Sequence, residues 1–314
     1  MRIVIMYNPV SGAGRATQAA ESTLAALRER GHDVATVASR LESTAEWLDP
    51  ALKGAEALVI AGGDGAMRLA APAACRTQTP VFHLPLGTEN LFAREFEMRG
   101  GIETLLQALQ ARRVRRVDVG VANGRLFLLM ASVGFDAEVV HTLAASRGGR
   151  ISHFTYIKPI LSTMRTWTPP ALSIEIDGRT VIDGQTGMVV VANSRQYGWR
   201  IDPAVNADMA DGVLDVIFMP ARSLMQLVAW AVRCRMRRQL AHASTVTARG
   251  RSIVIRSDRP QHFQLDGDPP GFVKELLPDG FEAAGWPAAE SADGQPLELR
   301  VGIVPQRLPV LTAG

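Results

Sequence analysis

Cysteine is nearly absent. The 314-residue chain has two, Cys75 and Cys234. They stand far apart and in no metal-ligand spacing, which speaks against a disulfide framework and for a reducing compartment. Aromatic residues are also few, at 6%. No basic cluster is interleaved with them, so a stacking platform for single-stranded nucleic acid is not expected. Long apolar runs are missing as well. The longest, around 224–232, is too short to span a bilayer. The first strand-like run, Arg2–Tyr7, leaves no room for a signal peptide ahead of it. The expectation is a cytoplasmic protein that touches a membrane at most from its inner face. No HExxH, CxxC or GxSxG pattern occurs, so zinc hydrolysis and serine hydrolysis have no support. Lysine is scarce: almost all of the 34 Lys and Arg residues are arginine. With a net charge of +3, this suits phosphate or anionic-surface partners, although a genomic composition bias produces the same excess.

What is present has two rhythms, and the length fits two domains. Up to about residue 116, short apolar runs alternate with helical periodicity. Strands are expected at Arg2–Tyr7, His32–Ala38, Ala57–Ala61 and Pro80–Leu84, and helices at 16–30, 43–53 and 66–75. That alternation predicts a parallel sheet with helices on both faces. From 117 onward, apolar residues alternate in period two. Asn123-Gly124, between two alternating runs, predicts a hairpin. Further runs at 172–178, 187–193, 212–219 and 252–258 predict an all-β antiparallel sandwich with one helix near 222–241. Residues 278–296 read as loop, and the tail from 297 has strand character that could pair with either half. The expected division is 1–116 and 117–301, with 302–314 returning to the first domain.

Three polar, glycine-containing loops follow strands of the first half: Asn8–Gly14, Gly62–Gly65 and Pro85–Asn90. In an open parallel sheet such loops gather where ligands bind, and helix starts there offer N–H groups to phosphate. Asp64 is the odd residue, because a carboxylate repels phosphate. It would act through Mg²⁺, hold the loop by accepting backbone N–H groups, or serve as a plain helix cap.

In order along the chain stand NPVSG (8–12), GGDG (62–65), LPLGTENLFAR (84–94), SVGFDAEVV (132–140), ANSRQYG (192–198), DGVLDV (211–216) and LDGD (265–268). With these, the chain resembles the diacylglycerol kinase catalytic-domain family, over residues 3 to about 310. The resemblance implies a lipid substrate, Mg²⁺ and ATP, with the nucleotide in an interdomain cleft. ATP would be held by Asn8, Pro9, Val10, Ser11, Gly12, Ser39, Gly62, Gly63, Asp64, Gly65, Ala66, Arg68, Thr88 and Asn90. It implies a general base at Asp268, where relatives often have glutamate, although the same residues would suit a simple turn. It also implies a second metal site from Asp208, Asp211 and the Val213 carbonyl, for which two turn aspartates are the bland reading.

The chain departs from the family after GGDG. Ala66, Arg68 and Leu69 stand where threonine, asparagine and glutamate are usual. The N–H of Ala66 is left to serve the nucleotide, and Arg68 is expected to reach a phosphate. Two rivals remain: an NAD kinase-like enzyme, which shares GGDG, and a non-catalytic nucleotide- or lipid-binding regulator. Leu224–Arg238 is apolar, then basic. It predicts either a packed helix whose cationic end complements its dipole, or contact with an anionic membrane through Arg233, Arg235, Arg237 and Arg238. Arg112, Arg113, Arg115 and Arg116 form a second cluster, steering anions or simply solvated. His83, His141 and His153 are expected to be core or loop histidines. A homodimer is left open.

Overall fold

A computed structural model describes residues 1–9, 14–40, 42–145, 163, 167–272 and 297–314. The chain divides into two compact units, Met1–Val117 with Gln306–Gly314, and Asp118–Phe272 with the final strand up to Pro305.

The first unit runs β1 (Arg2–Tyr7), α1 (Arg15–Arg28), β2 (Asp33–Ala38), α2 (Thr44–Leu52), β3 (Ala57–Gly62), α3 (Asp64–Thr77), β4 (Val81–Pro85), α4 (Leu91–Glu95) and α5 (Ile102–Ala111). The strands are parallel in the order β4-β3-β1-β2. Every residue of β3 is buried, as its unbroken apolar run requires of a central strand covered on both faces. The more polar DVATVA of β2 lies at the edge. In α1 the buried residues Ala16, Ala20, Thr23 and Leu27 recur at helical spacing and form one inward stripe. Arg76 of α3 makes a bidentate pair with Asp49 of α2 at 2.8 and 3.0 Å and also reaches Thr44, which locks the two helices side by side. The expected strands of this half all occur. The helix expected from residue 66 begins two residues earlier, at Asp64.

Two strands contribute to both units. In β5 (Arg113–Ala122) the four residues up to Arg116 are exposed and the remainder is buried. Arg116 bonds Gln78 at 2.5 Å, and Arg115 lies over the Phe96 ring. In β14 (Glu298–Thr312) the early residues belong to the second unit, while Val310 pairs in parallel with Val81 of β4. The tail therefore pairs with strands of both halves.

The second unit is a β-sandwich. Its strands are the end of β5, β6 (Arg125–Phe127), β7 (Met130–Val133), β8 (Ala171–Ile176), β9 (Arg179–Ala192), β10 (Leu214–Pro220), β11 (Val246–Gly250), β12 (Ser252–Ser257), β13 (Phe263–Leu265) and the start of β14. Among the described residues its strand pairings are antiparallel. The first half of β9 pairs with β8, and its second half with β10 and β7, so one long strand serves both sheets. The change falls at Gly187, where a Cβ would sit 2.5 Å from the Met219 carbonyl oxygen. Inward residues such as Leu172, Ile174, Val189, Val191, Phe218, Ile253 and Ile255 alternate along the strands and close the core.

The Asn123-Gly124 hairpin occurs, with both residues at positive φ and Ala122 opposite Arg125. Its second run does not continue as one strand. It stops at Phe127, and Met130–Val133 pairs instead with β9 and β13. This unit also holds more than the one expected helix: α6 (Phe135–Ala145) precedes α7 (Leu224–Arg235). The expected loop at 278–296 and His153 lie outside the described residues.

Candidate functional site

In the first unit the register brings the predicted loops to one edge. Tyr7 pairs with Ala38 and Ala61, and Gly62 with Pro85, so the segments beginning at Asn8, Ser39, Gly63 and Leu86 leave the same end of the sheet. The chain crosses from β2 past β1 to β3. The loops after β1 and β3 therefore diverge around a topological switch point, the position where open α/β sheets hold ligands. Ser39 donates its N–H to the Tyr7 carbonyl at 2.7 Å. Asn8 is half-buried and Pro9 exposed, whereas Val10, Ser11 and Gly12 lie outside the described residues.

The GGDG and GTEN loops are built against each other. Leu86 donates its N–H to the Gly62 carbonyl at 2.8 Å. A Cβ on Gly87 would meet the Cα of Gly63 at 2.8 Å, so no side chain fits between the two backbones. Asn90, in the left-handed region at φ 49°, clamps Gly87 from both sides. Its Oδ1 accepts the Gly87 N–H and its Nδ2 donates to the Gly87 carbonyl, each at 2.8 Å. That clamp leaves Thr88 exposed at the loop tip.

Both oxygens of Asp64 are engaged. Oδ2 accepts the N–H of Leu91 and Oδ1 that of Phe92, each at 3.0 Å. Asp64 thus stands in the first turn of α3 and caps α4 instead of its own helix. Of the roles open to it, this geometry is that of a carboxylate accepting backbone N–H groups.

Two expectations about this loop need correction. The N–H of Ala66 is not left over, because it donates to the Gly63 carbonyl at 3.0 Å. The N–H groups of Asp64 and Gly65, at the first two helical positions, have no intrahelical acceptor by position. Arg68 is 1% exposed. In this conformation its side chain is buried within α3's packed face, not presented to solvent beside the loop.

Beneath the loop, His83 of β4 is fully buried and shares a hydrogen bond of 2.9 Å between its Nε2 and the Gly62 carbonyl. Its Nδ1 is buried with no hydrogen-bond partner among the described residues. Burial therefore pushes its pKa below the ordinary 6.5, with the Asp64 charge and the Gly62 carbonyl pulling against it.

In the second unit the late motif is a two-residue hairpin turn. Asp266 (φ 53°) and Gly267 (φ 85°) stand at its centre, and Leu265 and Asp268 exchange backbone bonds of 2.9 and 3.0 Å. The carboxylate of Asp266 accepts three N–H groups from the β6–β7 connection: Leu128 at 2.8 Å, Leu129 at 2.7 Å and Met130 at 3.1 Å. Gln264 spans the turn, accepting the Gly267 N–H at 2.7 Å and donating to the Ser132 hydroxyl at 2.7 Å. Asp268, the predicted base, is the other carboxylate of this braced turn and is 9% exposed.

Asp136 extends the network. In the first turn of α6, its Oδ2 accepts from Ser132 and from Tyr197, each at 2.5 Å, while Oδ1 is buried without a partner among the described residues. Sequence reasoning assigned no role to Ser132, Asp136, Tyr197 or Gln264. The first three stand inside the quoted SVGFDAEVV and ANSRQYG runs, but no local rule makes an aspartate in a first helical turn more than a cap.

The residues predicted to hold a second metal do not fit one. Asp208 accepts the N–H of Ala210, and Asp211 that of Val213, so each carboxylate shapes its own turn. The outer oxygen of Asp211 is paired with Arg249, which also lies 3.4 Å from Asp215. The cation among these carboxylates is a guanidinium. Burial raises the pKa of Asp215, with Arg249 opposing and Asp211 adding to the rise. No group of three or more His, Cys, Asp or Glu suited to a metal occurs among the described residues.

These features define a class: a parallel α/β unit with paired glycine loops beside its switch point, followed in sequence by an antiparallel sandwich carrying a braced Asp-Gly-Asp turn. The diacylglycerol kinase catalytic domain matches residues 2–122, and the YegS C-terminal NAD kinase beta sandwich-like domain matches residues 130–283. A diacylglycerol kinase of Mycobacterium tuberculosis is 30% identical over 241 residues, covering 72% of this chain and 76% of its own. A diacylglycerol kinase of Staphylococcus carnosus is 21% identical over 271 residues, covering 85% and 88%. The solved structure of a diacylglycerol kinase from Bacillus anthracis superimposes with a TM-score of 0.65 at 14% identity, covering 99% of this chain and 96% of its own, which shows a shared fold. The chain belongs to the diacylglycerol kinase family.

Proposed function

We propose that the chain is an ATP-dependent lipid kinase. The lipid hydroxyl oxygen attacks the γ-phosphorus of Mg²⁺-bound ATP, and Asp268 accepts the hydroxyl proton. The bond from the γ-phosphorus to its bridging oxygen breaks, and ADP leaves. The lipid is diacylglycerol, a sphingoid base or a related alcohol, and the reaction runs in the cytoplasm at the inner face of the membrane. The observation that carries the reading is the pair of interlocked glycine loops beside the switch point of a family member's catalytic domain. Gly63 and Gly87 keep that surface free of side chains, and the N–H groups opening α3 offer the partial positive charge that phosphate needs. Asp64 adds little repulsion, because its charge is spent on the N–H groups of Leu91 and Phe92.

The test is phosphate transfer from γ-labelled ATP to a broad lipid panel in mixed micelles, with NAD as a parallel acceptor. Labelled phospholipid supports the proposal. Labelled NADP in its place moves the chain to the NAD kinase reading. Saturable ATP binding with no labelled product from either acceptor assigns it to the non-catalytic regulators.

A further inference from the structure

A helix packed on a domain needs one apolar face, and α7 has two. Leu227, Trp230 and Cys234 are buried against the second unit. On the opposite side Met225 is 77% exposed, Val228 47%, Val232 51% and Met236 55%. At about 100° of rotation per residue these four fall within an arc of about 80°, so they form one continuous outward stripe. Leu240 also exposes its side chain just beyond the helix.

The charge around the stripe has one sign. Between Arg222 and Ala241 there are arginines at 222, 233, 235, 237 and 238 and no aspartate or glutamate. The helix dipole accounts for cations in the last turn but not for Arg222, which precedes the N-terminus, where positive charge is disfavoured. Nor does the dipole account for the outward apolar stripe. Two of the arginines are engaged locally: Arg233 lies 5.1 Å over the Trp230 ring, and Arg237 is 3.7 Å from Asp202. Arg222, Arg235 and Arg238 are exposed.

We propose that this face of α7 docks on an anionic lipid bilayer, with Met225, Val228, Val232 and Met236 entering the acyl boundary and Arg222, Arg235 and Arg238 meeting lipid phosphates. The occupant follows from the combination. An apolar stripe rimmed by cations, on a helix without acids, matches a surface that is apolar inside and negative at its rim. The inference names the surface on which the proposed kinase meets its lipid, and it is tested without turnover.

The experiment is co-sedimentation of the full chain, without nucleotide, with vesicles of phosphatidylcholine alone or mixed with phosphatidylglycerol. The chain is expected to sediment with the mixed vesicles, less so as salt rises, and to remain in solution with neutral ones. Arg235→Gln with Arg238→Gln should weaken binding about thirtyfold, as two charges leave the surface field. Val228→Gln with Val232→Gln should weaken it by more than about tenfold through lost apolar burial. Both variants should keep the parent's circular dichroism and melting temperature, since all four positions face outward. Equal binding to both vesicle types, no binding at all, or folded variants that bind as the parent does would each overturn the proposal. So would a lipid-free dimer that Val228→Gln with Val232→Gln dissolves, which would assign the stripe to a second copy. A chain that binds the mixed vesicles but phosphorylates no lipid loses the kinase reading and keeps this one.

Discussion

Asp266 and Asp268 are one residue apart in the same turn, yet Asp266 accepts three backbone N–H groups whereas Asp268 is the proposed base, and mutation should separate the two. Replacing Asp266 by Asn keeps one carbonyl oxygen and converts the other into an amide nitrogen. If the oxygen stays at Oδ1, the bonds from Leu129 and Met130 survive as neutral ones, and the N–H of Leu128 faces a donor. Two weakened bonds and one buried unsatisfied N–H together cost about 2–5 kcal/mol. With a urea slope of about 2 kcal/mol/M, the midpoint for the second unit should fall by about 1–2.5 M.

Asp268→Asn leaves the three bonds to Asp266 in place, so its urea midpoint should fall by less than that of Asp266→Asn. Phosphate transfer to lipid should fall by about 10²–10⁴-fold with loss of the general base, and ATP affinity should hold. The paired assays are urea titration followed by circular dichroism and labelled transfer to lipid. Asp266→Asn as stable as the parent would refute the argument for its anchoring role. Asp268→Asn with near-parental turnover would refute the base.

Arg68→Ala should cost about 2–4 kcal/mol of stability through lost packing, with any rise in the KM for ATP following from it; a raised KM at an unchanged melting temperature would restore a phosphate contact. His83 and His141 both have pKa values lowered below 6.5, chiefly by burial. The unfolded chain then takes up protons first as the pH drops, so their contribution is complete above about pH 6.5 and is lost as the pH falls through their folded values, at up to about 1.4 kcal/mol per pH unit for each. Melting temperatures from pH 7.5 to 5 should fall, and less steeply in His83→Gln; an equal slope would remove His83 from the account. Burial pushes Cys75 and Cys234 up to about 12, so neither should react with a thiol reagent at neutral pH until denaturant is added. Calorimetry without nucleotide should show no saturable Mg²⁺ binding that Asp211→Asn abolishes, and the opposite result would reinstate the second metal.

Much of this was legible because periodicity is local. The apolar run at 57–61, ahead of a glycine loop, read as a buried strand, and Asn123-Gly124 read as a tight turn. What escaped was short or long-range. With only the three residues FQL, β13 is too short to show a period, and α6 follows its strand after only Gly134. The side-chain roles depend on partners no window can see. Asp64 finds its donors 27 and 28 residues away, and Asp266 finds its own 136 to 138 residues back. Arg68 is a related case: it was expected to make up for the threonine that Ala66 replaces, and its burial on α3 could not be read from a window.

Asp64 bears on how such a loop can hold phosphate at all. A carboxylate beside a polyanion is unfavourable unless its charge is met. Magnesium is one way to meet it, and the sequence left that open. The structure uses another, in which the first turn of α4 supplies two N–H groups, one to each oxygen. The same contacts join the GGDG loop to the GTEN loop, and the Gly63–Gly87 approach then keeps the joined surface bare. One residue thus has its charge partly offset by two N–H dipoles and fixes the spacing of the two loops. The change that tests both roles at once is Asp64→Ala. It would remove the negative charge but also release α4, so if the spacing dominates, ATP affinity should fall despite the lost repulsion; a rise in affinity would show that the charge had been felt by the phosphates after all.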